Sequence, residues 1–383
     1  MKELVQIKIN GFKSIQKLDI QLGSINVLIG ANGVGKSNFI SFFRMLNELM
    51  EGRLQFFVAK SGGASAMLHY GTKVTTSIDA KLYFDLNAYE IQLIATEDDQ
   101  FVFGKERLCI KTTSISQNPD DIDKSNPREI LGSGHKESLA GERYQENEFR
   151  DAQYAIPDLR SWRVYHFHDT SVTSRIKQTC NLYDNDQLTQ DAGNLAAYLY
   201  MLQKRHLPNY ELILRAVRRI CPRFKEFALR PNPLNPDTIR LEWYEHGSDY
   251  RFSAHQLSDG TLRFMSLATL LLQPDLPSVI LVDEPELGLH PSALTVIAGL
   301  MHSCASRTQL ILTTQSASFL NEFQPEDVIT VEHRDSRSLS NGEFHDGLGE
   351  SVFLNHSRES LSEWLKTYSL GELWEMNVLG GRP

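Results

Sequence analysis

The chain has 383 residues, 41% of them hydrophobic and 23% charged, with a formal net charge of −9. That length allows a large core, as one big domain with an embedded lobe or as two domains, and the acidic balance argues against coating nucleic acid by bulk electrostatics, which needs many Lys and Arg contacts to phosphate. No window approaches eighteen apolar residues, the opening Met-Lys-Glu-Leu has no signal-peptide pattern, and Cys109, Cys180, Cys221 and Cys304 form no C-x-x-C pair; a cytoplasmic protein with free thiols and no membrane span is the expectation.

Residues 4–9 and 16–22 alternate or nearly alternate, with Asn10-Gly11 between them, so the chain should open with an antiparallel hairpin bending at that pair. Ile25-Asn26-Val27-Leu28-Ile29 then reads as a buried parallel strand, and Phe39, Ile40, Phe43, Leu46 and Met50 recur at helical spacing. Between strand and helix stands Gly30-Ala31-Asn32-Gly33-Val34-Gly35-Lys36-Ser37-Asn38, which fits G-x-x-x-x-G-K-[ST]. Backbone N–H groups can wrap phosphate oxygens closely only where no Cβ intervenes, so glycine at 30, 33 and 35 is the expected residue type. The helix N-terminus adds its positive dipole, Lys36 reaches the β- and γ-phosphates, and the Ser37 hydroxyl holds Mg²⁺. A bound nucleoside triphosphate is the direct implication.

Past Gly62-Gly63, residues 76–85, 88–95 and 100–110 read as three strands of an antiparallel meander, a β lobe grafted onto the nucleotide fold. Residues 113–150 are polar, with two Asn-Pro pairs and a Gly-Ser-Gly, and read as a mobile excursion. The strand pattern returns at 162–168. His166 and His168 share one face of it and, with Asp169, could be drawn as a metal site, but no third ligand follows at a diagnostic spacing. Helices are expected near 191–205 and 208–220, then strands at 226–231 and 237–253, the latter a hairpin turning at His246-Gly247. The run of positive residues from Lys204 to Lys225 is either a solvated helix face or a local basic groove.

Leu257-Ser258-Asp259-Gly260-Thr261 leads into an amphipathic helix with Ser258 placed as its N-cap. Next, Val279-Ile280-Leu281-Val282 is an apolar strand ending in Asp283-Glu284-Pro285-Glu286, and a carboxylate at such a strand tip lies where α/β sheets bind ligands. Asp283 is the candidate Mg²⁺ residue, and Glu284 the acceptor that polarises a water for in-line attack. A helix over 291–304 and a strand over 309–316 follow, the latter bringing Gln315 to the same sheet edge, where it can read the γ-phosphate or orient water.

The order of phosphate loop, β lobe, signature-like helix and Asp283 strand resembles the ABC ATPase class, with Leu257-Ser258-Asp259-Gly260-Thr261 similar to its LSGGQ signature. Within it, Lys8-Ile9-Asn10-Gly11-Phe12-Lys13-Ser14-Ile15, the loop form GANGVGKSN and the run DEPELGLHP resemble the RecF/SMC/OLD-like branch, and the tail from Trp364 through Gly380-Gly381-Arg382-Pro383 is similar to a bacterial family of predicted AAA-type ATPases in that branch. The resemblance implies an α/β ABC-type P-loop NTPase with a mostly parallel central sheet, an N-terminal antiparallel β lobe and a helical lobe. Its parts would be the first half of the ATPase head at 1–50, the β lobe and polar loop at 51–160, a helical/β lobe at 161–253, the rest of the head at 254–335, and a family-specific tail at 336–383.

It also implies ATP and Mg²⁺ bound between two copies, in a homodimer or higher even oligomer, with Lys13 and residues 30–38 on one side and Ser258 with Gly260 of the mate on the other. Lys36, Glu284 and Gln315 would be the catalytic set, and Ser37 and Asp283 the metal ligands. The implied role is a DNA- or effector-linked switch in genome maintenance or anti-phage defence, beside a separate effector such as a Toprim or other nuclease. A slow-hydrolysing scaffold holding a toxic partner is the alternative, and a transporter subunit a weaker one. The chain departs from the family pattern in having Gln315 where a switch His is common and Asp259 at the second signature glycine, and in lacking coiled-coil heptads.

Overall fold

The computed structural model describes residues 3–84, 87–110, 128–140, 156–334, 337–340, 343–346 and 348–381. The chain opens with β1 (Leu4–Phe12) and β2 (Ile15–Gln21), then β3 (Ile25–Ile29), α1 (Lys36–Met50), α2 (Leu54–Lys60) and α3 (Ala64–Met67). The meander follows as β4 (Ser77–Phe84), β5 (Asn87–Ala95), β6 (Phe101–Ile110) and β7 (Arg128–Gly132). After α4 (Ile156–Ser161), β8 (Arg163–Tyr165) and β9 (Cys180–Asn181) come α5 (Leu195–Arg205) and α6 (Leu207–Ile220), then β10 (Phe224–Phe227), β11 (Thr238–Ile239), β12 (Glu242–Glu245) and β13 (Arg251–Ser253). The remainder is α7 (Asp259–Leu272), β14 (Val279–Asp283), α8 (Pro291–Cys304), β15 (Gln309–Thr314), α9 (Ala317–Leu320), β16 (Val328–Arg334), the hairpin of β17 (Arg337–Ser340) and β18 (Glu343–Asp346), β19 (Glu350–Asn355) and α10 (Leu370–Glu375).

Two six-stranded sheets organise these elements. One is antiparallel, in the order β2-β1-β4-β5-β6-β7; the other, in the order β19-β16-β3-β15-β14-β8, is parallel except for β19. The central strands of the parallel sheet are mostly apolar because both faces are covered, and successive residues enter different cores. Leu28, Leu281 and Ile311 pack toward α1 and the antiparallel sheet, whereas Val27, Ile280, Val282 and Leu310 pack toward α5, α6, α7 and α8. Buried Gln309 ties the sheets together: its side chain accepts from Leu4 N–H at 3.1 Å and donates to Leu4 O at 2.9 Å. Among the described residues no helix is long and apolar enough to cross a membrane.

Three expectations need correction. The first hairpin does not turn at Asn10-Gly11: β1 runs on to Phe12 and the turn is Lys13-Ser14. Gly11 is required for a close approach instead, since a Cβ there would fall 2.5 Å from Ser77 O. The antiparallel meander is not separate from the first hairpin either, because β1 pairs with β4 and β2 lies beyond β1 at the edge of the same sheet. And of the excursion expected at 113–150, residues 113–127 and 141–150 lie outside the described residues, while 128–140 are anchored. Strand β7 pairs with β6, and fully buried Glu106 accepts from Tyr89 Oη at 2.7 Å, Ser138 Oγ at 2.6 Å, His135 Nε2 at 2.9 Å and Leu139 N–H at 2.9 Å. A buried carboxylate needs that many donors, and a polar sequence supplied them.

Candidate functional site

The phosphate-loop candidate leaves β3 in the middle of the parallel sheet. Glycine is enforced at two of its positions by close approach: a Cβ on Gly30 would lie 2.2 Å from Val331 O, and one on Gly35, at φ +118°, would lie 2.1 Å from Ser351 Oγ. The loop is therefore pressed against β16 and β19 from behind. Ala31 N–H also donates to Gly381 O at 2.8 Å, so the tail that contains Gly380-Gly381 closes on the base of the loop. Asn38 Nδ2 donates to Ser14 Oγ at 2.7 Å, holding the β1–β2 turn against α1, while Ser37 is exposed at the helix start.

Lys36 is buried, and its Nζ donates to Gly30 O at 2.5 Å and Ala31 O at 2.9 Å. Burial lowers its pKa, against the opposing pull of Glu284, Asp283 and Glu286. An ammonium whose hydrogen-bond partners among the described residues are carbonyls, facing three carboxylates, sits in a place suited to a polyanion bridged by a cation.

Those carboxylates come from the strand ends next door. Asp283 pairs in register with Thr313, whose Oγ1 donates to Asp283 Oδ1 at 2.5 Å. Glu284 stands at φ +42°, a left-handed conformation costing a non-glycine residue about 1–2 kcal/mol, and its N–H is held by Thr313 O at 3.1 Å. Its Oε1 accepts from Gln315 Nε2. Glu284 and Gln315 thus face each other across β14 and β15.

Glu286 had no role assigned from sequence, and His168 serves otherwise than as the metal ligand it could be drawn as. Glu286 Oε1 accepts from Thr314 Oγ1 at 2.6 Å and Gln315 N–H at 3.1 Å, so it fixes the backbone that carries Gln315; burial pushes its carboxyl up, with Glu284 adding to the effect. His168 Nε2 donates to Asp283 O at 2.8 Å. His166 instead faces Arg44, its Nδ1 lying 3.4 Å from Arg44 Nη2, and Asp169 accepts from Ser171 N–H. Among the described residues no group of three His, Cys, Asp or Glu gathers as a metal site, so His166, His168 and Asp169 do not form one. The sequence signal for Glu286 was its place in the acidic run; for His168 it was the strand end.

The signature-like segment forms a capped helix start: Ser258 Oγ accepts from Thr261 N–H at 3.2 Å. Gly260 packs on the turn after Glu286, where a Cβ would lie 2.4 Å from Gly288 O. Asp259 pairs with Lys177 at 3.2 Å, and Arg263 ties the helix to Leu287 O at 2.7 Å and His168 O at 2.8 Å. Ser258 is exposed, and among the described residues no hydrogen bond joins residues 258–260 to residues 30–38. Lys13, at φ +49°, donates from Nζ to Ser41 Oγ at 2.7 Å.

The profile of a family described as "AAA domain, putative AbiEii toxin, Type IV TA system" matches residues 25–321. No curated protein matches the sequence. Among solved structures, an Smc head bound to the C-terminal winged-helix domain of ScpA is similar at 17% identity and TM-score 0.54, over 94% of this chain and 99% of that one. An Smc head with an extended coiled coil bound to the C-terminal domain of ScpA, from Pyrococcus furiosus, gives 15% and 0.49 over 96% and 99%; the SMC head of Thermotoga maritima gives 14% and 0.44 over 93% and 99%. The first of these establishes an SMC-head fold.

Proposed function

The chain belongs to this AAA-domain family, a P-loop ATPase fold, and from that premise we propose that it binds and hydrolyses ATP with Mg²⁺ between two copies, as a switch acting on DNA or on a separate effector. The observation that carries the reading is buried Lys36 at the mouth of the loop, facing the carboxylates that β14 presents beside it.

The residues present fit both ligands. The loop is a glycine cradle, Ser37 is exposed at the helix start, and Asp283 has one oxygen held by Thr313 and, among the described residues, no hydrogen bond to the other. Mg²⁺ bound by Ser37 and Asp283 would neutralise charge on the β- and γ-phosphates. Lys36 exchanges its loop carbonyls for phosphate oxygens. Glu284 accepts a proton from water as the water oxygen bonds to the γ-phosphorus, and the bond to the β,γ-bridging oxygen breaks to leave ADP and phosphate. Gln315, fixed by Glu286, orients that water and has no proton of its own to shuttle.

Ser258 stands exposed at the helix N-terminus with half-buried Gly260 behind it, which supports their use by the mate in a two-fold assembly. A second reading, the slow-hydrolysing scaffold, draws support from the Glu284–Gln315 bond, which occupies the base in this state, and from the toxin–antitoxin setting in the family's description. Genome maintenance or defence with a nuclease or other effector remains the cellular setting of the proposal, and no part of it requires a membrane. Phosphate release with and without duplex DNA, together with recovery of bound proteins with and without ATP, tests it. Turnover rising with DNA or a recovered effector supports the switch, basal turnover that neither alters supports the scaffold, and absence of ATP binding refutes both.

A further inference from the structure

The tail that closes on the phosphate loop takes no part in the hydrolysis itself, and its path is nonetheless fixed at every step. Ser369 starts α10 through a capping box with Glu372. Leu370, Leu373 and Leu379 are buried in the same core as Phe319, Leu320 and Phe323, on and just after α9, the short helix that follows Gln315. The two helices touch backbone to backbone: Gly371 N–H donates to Asn321 Oδ1 at 2.7 Å, and a Cβ on Gly371 would fall 2.3 Å from Ala317 O. Val378 N–H then returns to Leu373 O at 2.9 Å, and left-handed backbone at Asn377, Gly380 and Gly381 turns the chain toward the loop.

There three backbones meet. Val331 O, on β16, lies 2.2 Å from a Cβ built on Gly30 and 3.1 Å from one built on Gly381, which would also stand 2.5 Å from Thr330 Cγ2 and 3.5 Å from Gly30 Cα. Space and a φ of +80° both call for glycine at 381. The peptide that joins Gly30 to Ala31 is thereby gripped on both sides, its carbonyl by Lys36 Nζ at 2.5 Å and its N–H by Gly381 O at 2.8 Å. When ATP draws Lys36 away from that carbonyl, the hold of Gly381 is what keeps the peptide from rotating. A loop already held needs no ordering when its ligand arrives, and ordering is otherwise subtracted from affinity.

We propose that residues 370–381 are a positioning strap for the ATP site, anchored on the helix after Gln315, in which the Gly381 carbonyl keeps the phosphate loop shaped for ATP. The inference rests on the phosphate-loop reading, and Lys36→Ala serves to tell the two apart. Deleting 380–383 releases the loop and leaves buried Leu379 in place, while Gly381→Ala releases it by crowding Thr330. Thr330→Ser deletes the methyl that the new Cβ meets and keeps the hydroxyl that bonds His356. Calorimetry with ATP and Mg²⁺, steady-state phosphate release and thermal unfolding are read on each chain, with hydrogen exchange of peptides covering residues 30–36.

With one backbone hydrogen bond lost, both variants should bind ATP about 2- to 13-fold more weakly. KM should rise by the same factor and kcat should stay, because the loop grips ground state and transition state alike. Exchange over 30–36 should quicken, and Thr330→Ser should recover part of the affinity lost in Gly381→Ala. Gly381→Ala decides the matter if the deleted chain does not fold. ATP affinity unchanged in a folded variant, where Lys36→Ala loses it, refutes the strap and leaves the phosphate site standing. A fall in kcat with KM unchanged, or a loss that Thr330→Ser does not relieve, also refutes it, since a general loosening of the fold would act that way. If wild type binds no ATP, both readings fall.

Discussion

Replacing Lys36 by Ala is the sharpest single perturbation of the phosphate site. In the free protein its Nζ donates to Gly30 O and Ala31 O, and ATP must exchange those two carbonyls for phosphate oxygens. A charge-assisted hydrogen bond contributes about 1.5–3 kcal/mol, so the variant should bind ATP roughly 10- to 150-fold more weakly. Stability should change far less, because two effects oppose: the carbonyls lose donors, but a buried ammonium is no longer desolvated. The sign of the pH effect follows from burial lowering the Lys36 pKa. The folded state holds this proton less tightly than the unfolded chain, so wild-type stability should rise as pH increases from the folded toward the unfolded lysine value, and Lys36→Ala should lack that rise. Isothermal calorimetry reads the affinity, and urea titrations from pH 7 to 10 read the stability. Unchanged ATP affinity in a folded variant would refute the phosphate-loop assignment.

Glu284→Gln should retain ATP binding while phosphate release falls about 10²- to 10⁴-fold, the range of a lost general base; undiminished release would show that another group accepts the proton. Glu106→Gln should destabilise the protein by about 2–4 kcal/mol, since whichever oxygen is replaced the amide nitrogen would face a backbone N–H, of Leu139 or of Ala140, which can only donate. Although burial raises the Glu106 pKa, hydrogen bonds from His135, Ser138 and Tyr89 bring it below the ordinary value; its contribution is present above the unfolded carboxyl pKa and lost as pH falls through the folded one. The stability gap between wild type and Glu106→Gln should therefore close on acidification, and a gap constant from pH 7 to pH 3 would contradict the network. Deleting 115–140 should lower the melting temperature, read by thermal unfolding, because it removes β7 and the Ser138 and His135 donors; deleting only 115–127 should leave basal hydrolysis intact while changing its stimulation by DNA or effector, read by phosphate release.

What could be read from the sequence was whatever is encoded locally. The strand Val279–Asp283, the glycines before Lys36 and the cap at Ser258 each declare themselves within a dozen residues, and the fold follows their order. What escaped depends on distant partners. Strand β19 is an edge only because it pairs with β16, and residues 128–140 look like a polar excursion until Glu106, some thirty positions earlier, is seen to need their donors. Lys13-Ser14 is the true turn because Gly11 is consumed by contact with Ser77. Glu286 matters through Thr314 and Gln315, and Gly381 through Ala31, neither of which composition or periodicity can show.

The central claim is that ATP is shared between Lys36 of one copy and Ser258 of another, and complementation between two inactive variants addresses it most directly. Lys36→Ala chains lack the phosphate charge, and Ser258→Arg chains place a bulky cation where the mate's γ-phosphate would sit. Each alone should be inactive in ATP hydrolysis. Mixed, with Lys36→Ala in excess, they should form heterodimers in which one composite site pairs an intact loop with an intact signature, and measured phosphate release should recover toward half the wild-type value per heterodimer. Full activity of Ser258→Arg on its own, or no recovery on mixing when light scattering shows that the two chains associate, would contradict the shared site and leave Ser258 as a helix cap.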